Sequence, residues 1–166
     1  MSKSYAIAAN VRFGAYGRIL RLQHTIALIF LYSGTRMLTL AGASALSPFR
    51  LRRLLGELQS IASDVRAVQA RFMHFIEIDG DPRDEERAML QQLLDYGPHR
   101  EAEQYAGELF LVVPRPGTLS PWSSKATDIA RNCGLARVRR IERGIAYYLS
   151  GDGTIGAELR ARIAAP

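Results

Sequence analysis

Residues 68–78 read VQARFMHFIEI. Val68, Ala70, Phe72, His74, Ile76 and Ile78 share one parity; Gln69, Arg71, Met73, Phe75 and Glu77 share the other. A period of two is the mark of a β-strand, and the mostly apolar first set predicts one well-buried face. Downstream, VRRIERGIAYYL (138–149) has the same character. Ile141, Ile145, Tyr147 and Leu149 lie on one side, with Arg139 and Arg143 on their parity. An arginine at position 143 needs an internal acid or a bound anion, because a lone buried charge is strongly disfavoured. His74, a single polar residue on an apolar strand face, reads as a hydrogen-bonded core side chain.

Working outward, LTLAGAS (38–44) reads as a short strand. ELFLVV (108–113) is continuously apolar, the pattern of a central strand covered on both faces. Between the strands the spacing changes to that of helices. Ser47-Pro48 is an N-cap followed by proline, and Leu51, Leu54, Leu55, Leu58 and Ile61 recur at helical intervals. DGDPRDEE is a turn with an acidic helix start, and the helix through Met89, Leu90, Leu93 and Leu94 stops at Gly97-Pro98. A third stripe, Ala126, Ile129, Ala130 and Cys133, ends at Gly134. Cys133 on that stripe reads as a small hydrophobe. Residues 155–164 read as a last helical segment. The order β-α-β-α-β-α-β-α allows either a parallel α/β sheet or an antiparallel α+β sandwich, and no G-x-G-x-x-G follows the first strand.

The chain has 166 residues, enough for one domain that needs no disulfide or metal to fold. Its single cysteine excludes an internal disulfide and fits a reducing compartment. The net charge of +6 suggests a nucleic-acid binder. Its distribution argues against that. Residues 1–36 hold Lys3, Arg12, Arg18, Arg21 and Arg36 and no acid, so the remaining 17 of the 22 basic residues face all 16 acidic ones. The body is nearly neutral and has no basic stripe interleaved with aromatics, which leaves nucleic acid out of the expected partners. The apolar run in the leader is too short for a membrane span. The expectation is that residues 1–36 are upstream translation or a disordered leader, with Met37 as the natural start. If the leader is genuine, Ile26–Leu31 is expected to pack on the domain surface.

The densest stretch is VVPRPGTLSPWSSKATDIARNCG (112–134). Pro114 and Pro116 each lock φ, and Gly117 adds a conformation closed to other residues. Ser120-Pro121 begins a turn or first helical step, with Ser123 or Ser124 as helix cap. Arg115 and Lys125 then stand near a helix N-terminus among hydroxyls, chemistry suited to a phosphate or carboxylate. A purely structural or interface loop, with Trp122 as a plug, fits the same residues. Arg137, Arg139 and Arg140 read as a solvated cluster or as a surface for an acidic partner.

PRPGTLSPWSSKATDIARNCGLARVRRIERGIAYYL (114–149) resembles the N-terminal region of the large single-chain phosphoribosylformylglycinamidine synthase family. SALSPFRLRRLLGEL, ARFMHFIEI and LLDYGP extend the resemblance over residues 37–166, with Leu119 and Arg131 as mild departures. The resemblance implies an α+β two-layer sandwich: a mostly antiparallel four-stranded sheet with helices on one face, over residues 37–152. Residues 153–166 would begin a helix leading to a linker. The family's cytoplasmic enzyme of purine biosynthesis converts formylglycinamide ribonucleotide, glutamine and ATP to formylglycinamidine ribonucleotide, glutamate, ADP and phosphate. The resemblance implies ATP, magnesium and glutamine for the full-length enzyme, none held by this segment. It implies no catalytic residue here; Cys133 does not match the glutaminase nucleophile. The implied partners are the enzyme's own synthetase and glutaminase domains, with self-association of the isolated segment. The candidates for substrate or interface contact are Arg115, Thr118, Ser120, Trp122, Ser123, Ser124, Lys125 and Arg143. An alternative is a free-standing module bridging separate synthetase and glutaminase subunits.

Overall fold

The structure, a computed structural model, describes residues 5–11 (backbone only), 35–97, 105–114 and 118–152. Its strands are β1 (Tyr5–Val11), β2 (Thr35–Ser44), β3 (Val65–Asp79), β4 (Glu108–Pro114) and β5 (Val138–Gly151). Its helices are α1 (Pro48–Gln59), α2 (Asp84–Leu94) and α3 (Pro121–Asn132). The strands form one sheet in the order β1-β4-β5-β3-β2, and every neighbouring pair is antiparallel. The α+β form is thus the observed one. The four expected strands are present, and Tyr5–Val11 adds a fifth at the edge by pairing with β4. β4 is accordingly an interior strand, as its unbroken apolar run requires.

The centre of the sheet is the β3–β5 ribbon, which pairs from Val65↔Gly151 to Ile78↔Val138. Val68 meets Leu149, Phe72 meets Ile145, His74 meets Arg143 and Ile76 meets Ile141, so the parity read in each strand is a shared face. The helices pack on that face in two groups. Leu58, Val65, Val68, Phe110 and Leu149 gather under α1. Ile76, Ile78, Leu90, Leu94, Ala130, Leu135, Val138 and Ile141 gather under α2 and α3. Phe72, Val112 and Ile145, between the groups, are only half-buried. On the other face, Leu109, Leu111 and Ala146 form a third apolar cluster with Met73, Phe75 and Tyr148. Residue 139 departs from its parity. The register slips between Glu77 and Ile78, which turns Arg139 out to pair with Asp79 at 2.6 Å.

Local chemistry sets the helix ends. The Ser47 hydroxyl accepts from the Arg50 N–H at 3.4 Å, with Pro48 at the first helical position. The Glu86 carboxylate reaches back to the Arg83 N–H at 2.8 Å, and Asp84, Glu85 and Glu86 complement the dipole of the first turn of α2. α3 ends in a Schellman motif: Leu135 N–H donates to Ala130 C=O at 3.1 Å and Gly134 N–H to Arg131 C=O at 3.0 Å. Gly134 has φ 90°, the left-handed conformation this ending requires. The cap at the other end of α3 differs from expectation. Ser120, not Ser123 or Ser124, is the N-cap, and it accepts from the Ser123 N–H at 3.0 Å. The buried stripe of α3 differs too. Ser123, Thr127 and Ala130 face the sheet, while Ile129 and Cys133 are exposed. The apolar spacing favoured Ile129, but the hydroxyls have backbone partners on β5 and so occupy the inner face.

A hydroxyl anchor and an aromatic clamp around Arg143

β4 pairs with β5 only from Leu149 to Ile145. Beyond that point α3 lies along β5 and takes over its polar groups. Ser123 Oγ donates to the Ile141 carbonyl at 2.6 Å, and the Ile141 N–H donates to Thr127 Oγ1 at 2.9 Å. Thr127 Oγ1 in turn donates to the Ser123 carbonyl at 2.8 Å. Two side chains one helical turn apart therefore replace the missing ladder partner, which a buried peptide group cannot forgo without cost.

The segment before α3 is tied to β5 as well. Ser120 Oγ donates to Glu142 Oε1 at 3.1 Å. Arg140 Nη2 donates to the Thr118 carbonyl at 2.8 Å and pairs with Glu142. Arg137, Arg139 and Arg140 each have an acid beside them: they pair with Glu86, Asp79 and Glu142 respectively, with Arg139 exposed. Arg137 also donates to the Asp79 carbonyl at 3.0 Å, closing the turn after β3. Hydrogen bonding from Arg137 holds the Glu86 carboxyl well below its usual range, at about 2.

On the helix face stands a second cluster. The Arg143 guanidinium lies 4.3 Å from the Phe72 ring centroid and 4.5 Å from that of Trp122. Its Nη1 donates to the Tyr96 hydroxyl at 2.8 Å. That hydroxyl is 3.0 Å from His74 Nε2. An arginine can only donate, so the Tyr96 oxygen accepts from Arg143. His74 is fully buried and stacks on Trp122 at 5.7 Å between centroids. Burial, and then the charge on Arg143, lower its pKa to about 4, so it is neutral at pH 7. Gly42 on β2 makes room for it: a Cβ there would sit 2.6 Å from His74 Cε1.

The structure thus brings Trp122 and Arg143 into one cluster and Thr118, Ser120 and Ser123 into the anchor beside it. Ser124 and Lys125 are exposed on the outer side of α3. Arg115 and the segments 26–31 and 155–164 lie outside the described residues. Tyr96, Phe72, Thr127 and Glu142 complete the two networks and were not singled out from sequence. For Phe72 the parity shared with His74 was a usable signal; for Tyr96, at the end of α2, there was none. Among the described residues no group of three or more His, Cys, Asp or Glu side chains could hold a metal ion, and no helix is long and apolar enough to cross a membrane. No step through ATP or magnesium is assigned to these residues.

The fold and site define a two-layer α+β domain that presents a capped helix start and an arginine clamp. Residues 71–165 match the family model for the N-terminal region of formylglycinamide ribonucleotide amidotransferase. The match covers more than half of the chain, and the chain belongs to that family. The family is that of formylglycinamidine ribonucleotide synthase, an enzyme of purine biosynthesis.

Proposed function

We propose that this chain serves as the N-terminal domain of formylglycinamidine ribonucleotide synthase, packing against the ATP-using synthetase domain and helping to join it to the glutaminase. By itself it is catalytically silent. The anchoring of α3 on Ile141 through Ser123 and Thr127 carries this reading. It holds the start of α3 firmly while Thr118, Leu119, Ser124 and Lys125 stay exposed, a surface built to be presented. Trp122, Ser120 and Ser123 shape that surface from beneath. Lys125 or Arg115 supplies charge to a phosphate of the ribonucleotide at the domain boundary.

The test is Lys125→Ala in the full-length enzyme. Losing a charge-assisted hydrogen bond worth about 1.5–3 kcal/mol raises the ribonucleotide KM roughly tenfold or more. An unchanged KM together with an unchanged kcat excludes Lys125 from the phosphate role, and the same result for Arg115→Ala excludes the role altogether.

A further inference from the structure

Arg143 stands among aromatic rings on the helix face, and among the described residues no acid neutralises it. Its guanidinium carbon lies over the rings of Phe72 and Trp122, 4.3 and 4.5 Å from their centroids, and Tyr96 takes Nη1. Among the described residues no carboxylate lies within ion-pair distance of it, and Nε and Nη2 meet no acceptor. By contrast Arg137, Arg139 and Arg140 are all paired. The geometry points to a binding site for a carboxylate, gripped side-on by Nε and Nη2 of Arg143.

Three features select the ligand. With two rings against the guanidinium and Tyr96 on Nη1, the groups left without an acceptor among the described residues are Nε and Nη2, an edge that matches the two oxygens of a carboxylate. Among the described residues the site supplies one positive charge. His74 beneath it is neutral, and Tyr96 is an uncharged hydroxyl, so a monoanion is balanced where a phosphate dianion is not. The surroundings are apolar: Phe72, Val112 and Ile145 form the half-buried strip beside the clamp, which suits a carboxylate carried on an apolar stem. The source is either a small free carboxylate or an Asp or Glu side chain of a docking protein segment. The inference deepens the interface reading of Arg143, but its test uses this chain alone. Either can therefore fail while the other stands.

Trp122 is the only tryptophan in the chain, so its fluorescence reports on the clamp directly. The chain is titrated at pH 7 with sodium acetate, with a blocked tripeptide carrying one glutamate between apolar residues, and with inorganic phosphate. Sodium chloride at matched ionic strength is the control. The expected result is a saturable fluorescence change with a carboxylate and none with chloride. Saturation by acetate identifies a small-molecule site; saturation by the glutamyl peptide alone identifies a docking side chain. Arg143→Lys keeps the charge but not the fork, and weakens binding at least ~10-fold. Tyr96→Phe keeps the ring and weakens binding less. A response equal to that of chloride, tighter binding of phosphate, or undiminished binding by a folded Arg143→Lys protein overturns the assignment. The comparison with chloride needs no variant, so it decides even if Arg143→Lys does not fold.

Discussion

At the scale of single residues, His74 and Glu86 make the domain acid-sensitive in two separate windows. The folded pKa of His74, about 4, lies below its ordinary value of 6.5. The unfolded chain therefore binds the proton more readily, and stability that is complete above pH 6.5 falls as pH drops towards 4. The loss is at most about 3 kcal/mol at 1.36 kcal/mol per pKa unit. Glu86 is a depressed carboxyl, about 2 against an ordinary 4.5. Its contribution is present above 4.5 and disappears as pH falls through 2. Urea unfolding midpoints measured from pH 8 to pH 2 should show both declines. His74→Gln should flatten the upper one and leave the lower, and Glu86→Gln should do the reverse. A midpoint that stays level between pH 6.5 and 4 in the unmodified chain contradicts the buried, neutral assignment of His74.

At the scale of elements, the junction of α3 with β5 is the most demanding feature. Ser123 is 1% exposed and satisfies the Ile141 carbonyl where the β4 ladder has ended. Ser123→Ala leaves that carbonyl buried and unpaired, a cost of about 1–3 kcal/mol. The expected result is a lower thermal midpoint with far-ultraviolet circular dichroism unchanged at room temperature. Ser124→Ala, one position on and exposed, should have no measurable effect. Equal losses in the two variants exclude the anchor. The same element shows why a stripe of apolar spacing misleads. Ile129 and Cys133 have the right period for burial, but Ser123 and Thr127 have hydrogen-bond partners waiting on β5, and a helix can turn only one side inward.

At the scale of the whole molecule, cohesion runs through the β3–β5 ribbon. Both strands are interior, they pair along nearly their full length, and all three helices rest on their shared face. Global unfolding is therefore the only route to opening their central amides. Hydrogen exchange should leave the amides of Met73, Phe75 and Ala146, which point into the β3–β5 ladder, protected longest, with those of β2 and β1 at the sheet edges exchanging sooner. Faster exchange at Phe75 than at Leu38 excludes this arrangement.

The four strands of residues 38–149, the start of α1 and the buried face of the β3–β5 ribbon were legible because each depends on neighbours two to four residues away. The alternation in 68–78, the Ser-Pro helix openings and the Gly134 ending are all local patterns, and the family likeness lies in the contiguous motif around Trp122. The pairing of Arg140 with Glu142 and of Arg137 with Glu86 was not legible. Nor was the clamp, because Phe72, Tyr96, Trp122 and Arg143 come from four separate parts of the chain. Sequence alone determined which residues could be inside, since period and side-chain chemistry act locally. Only the tertiary structure decided which polar groups meet there, because antiparallel register and the placing of a helix along a strand edge set distances between residues far apart in the chain.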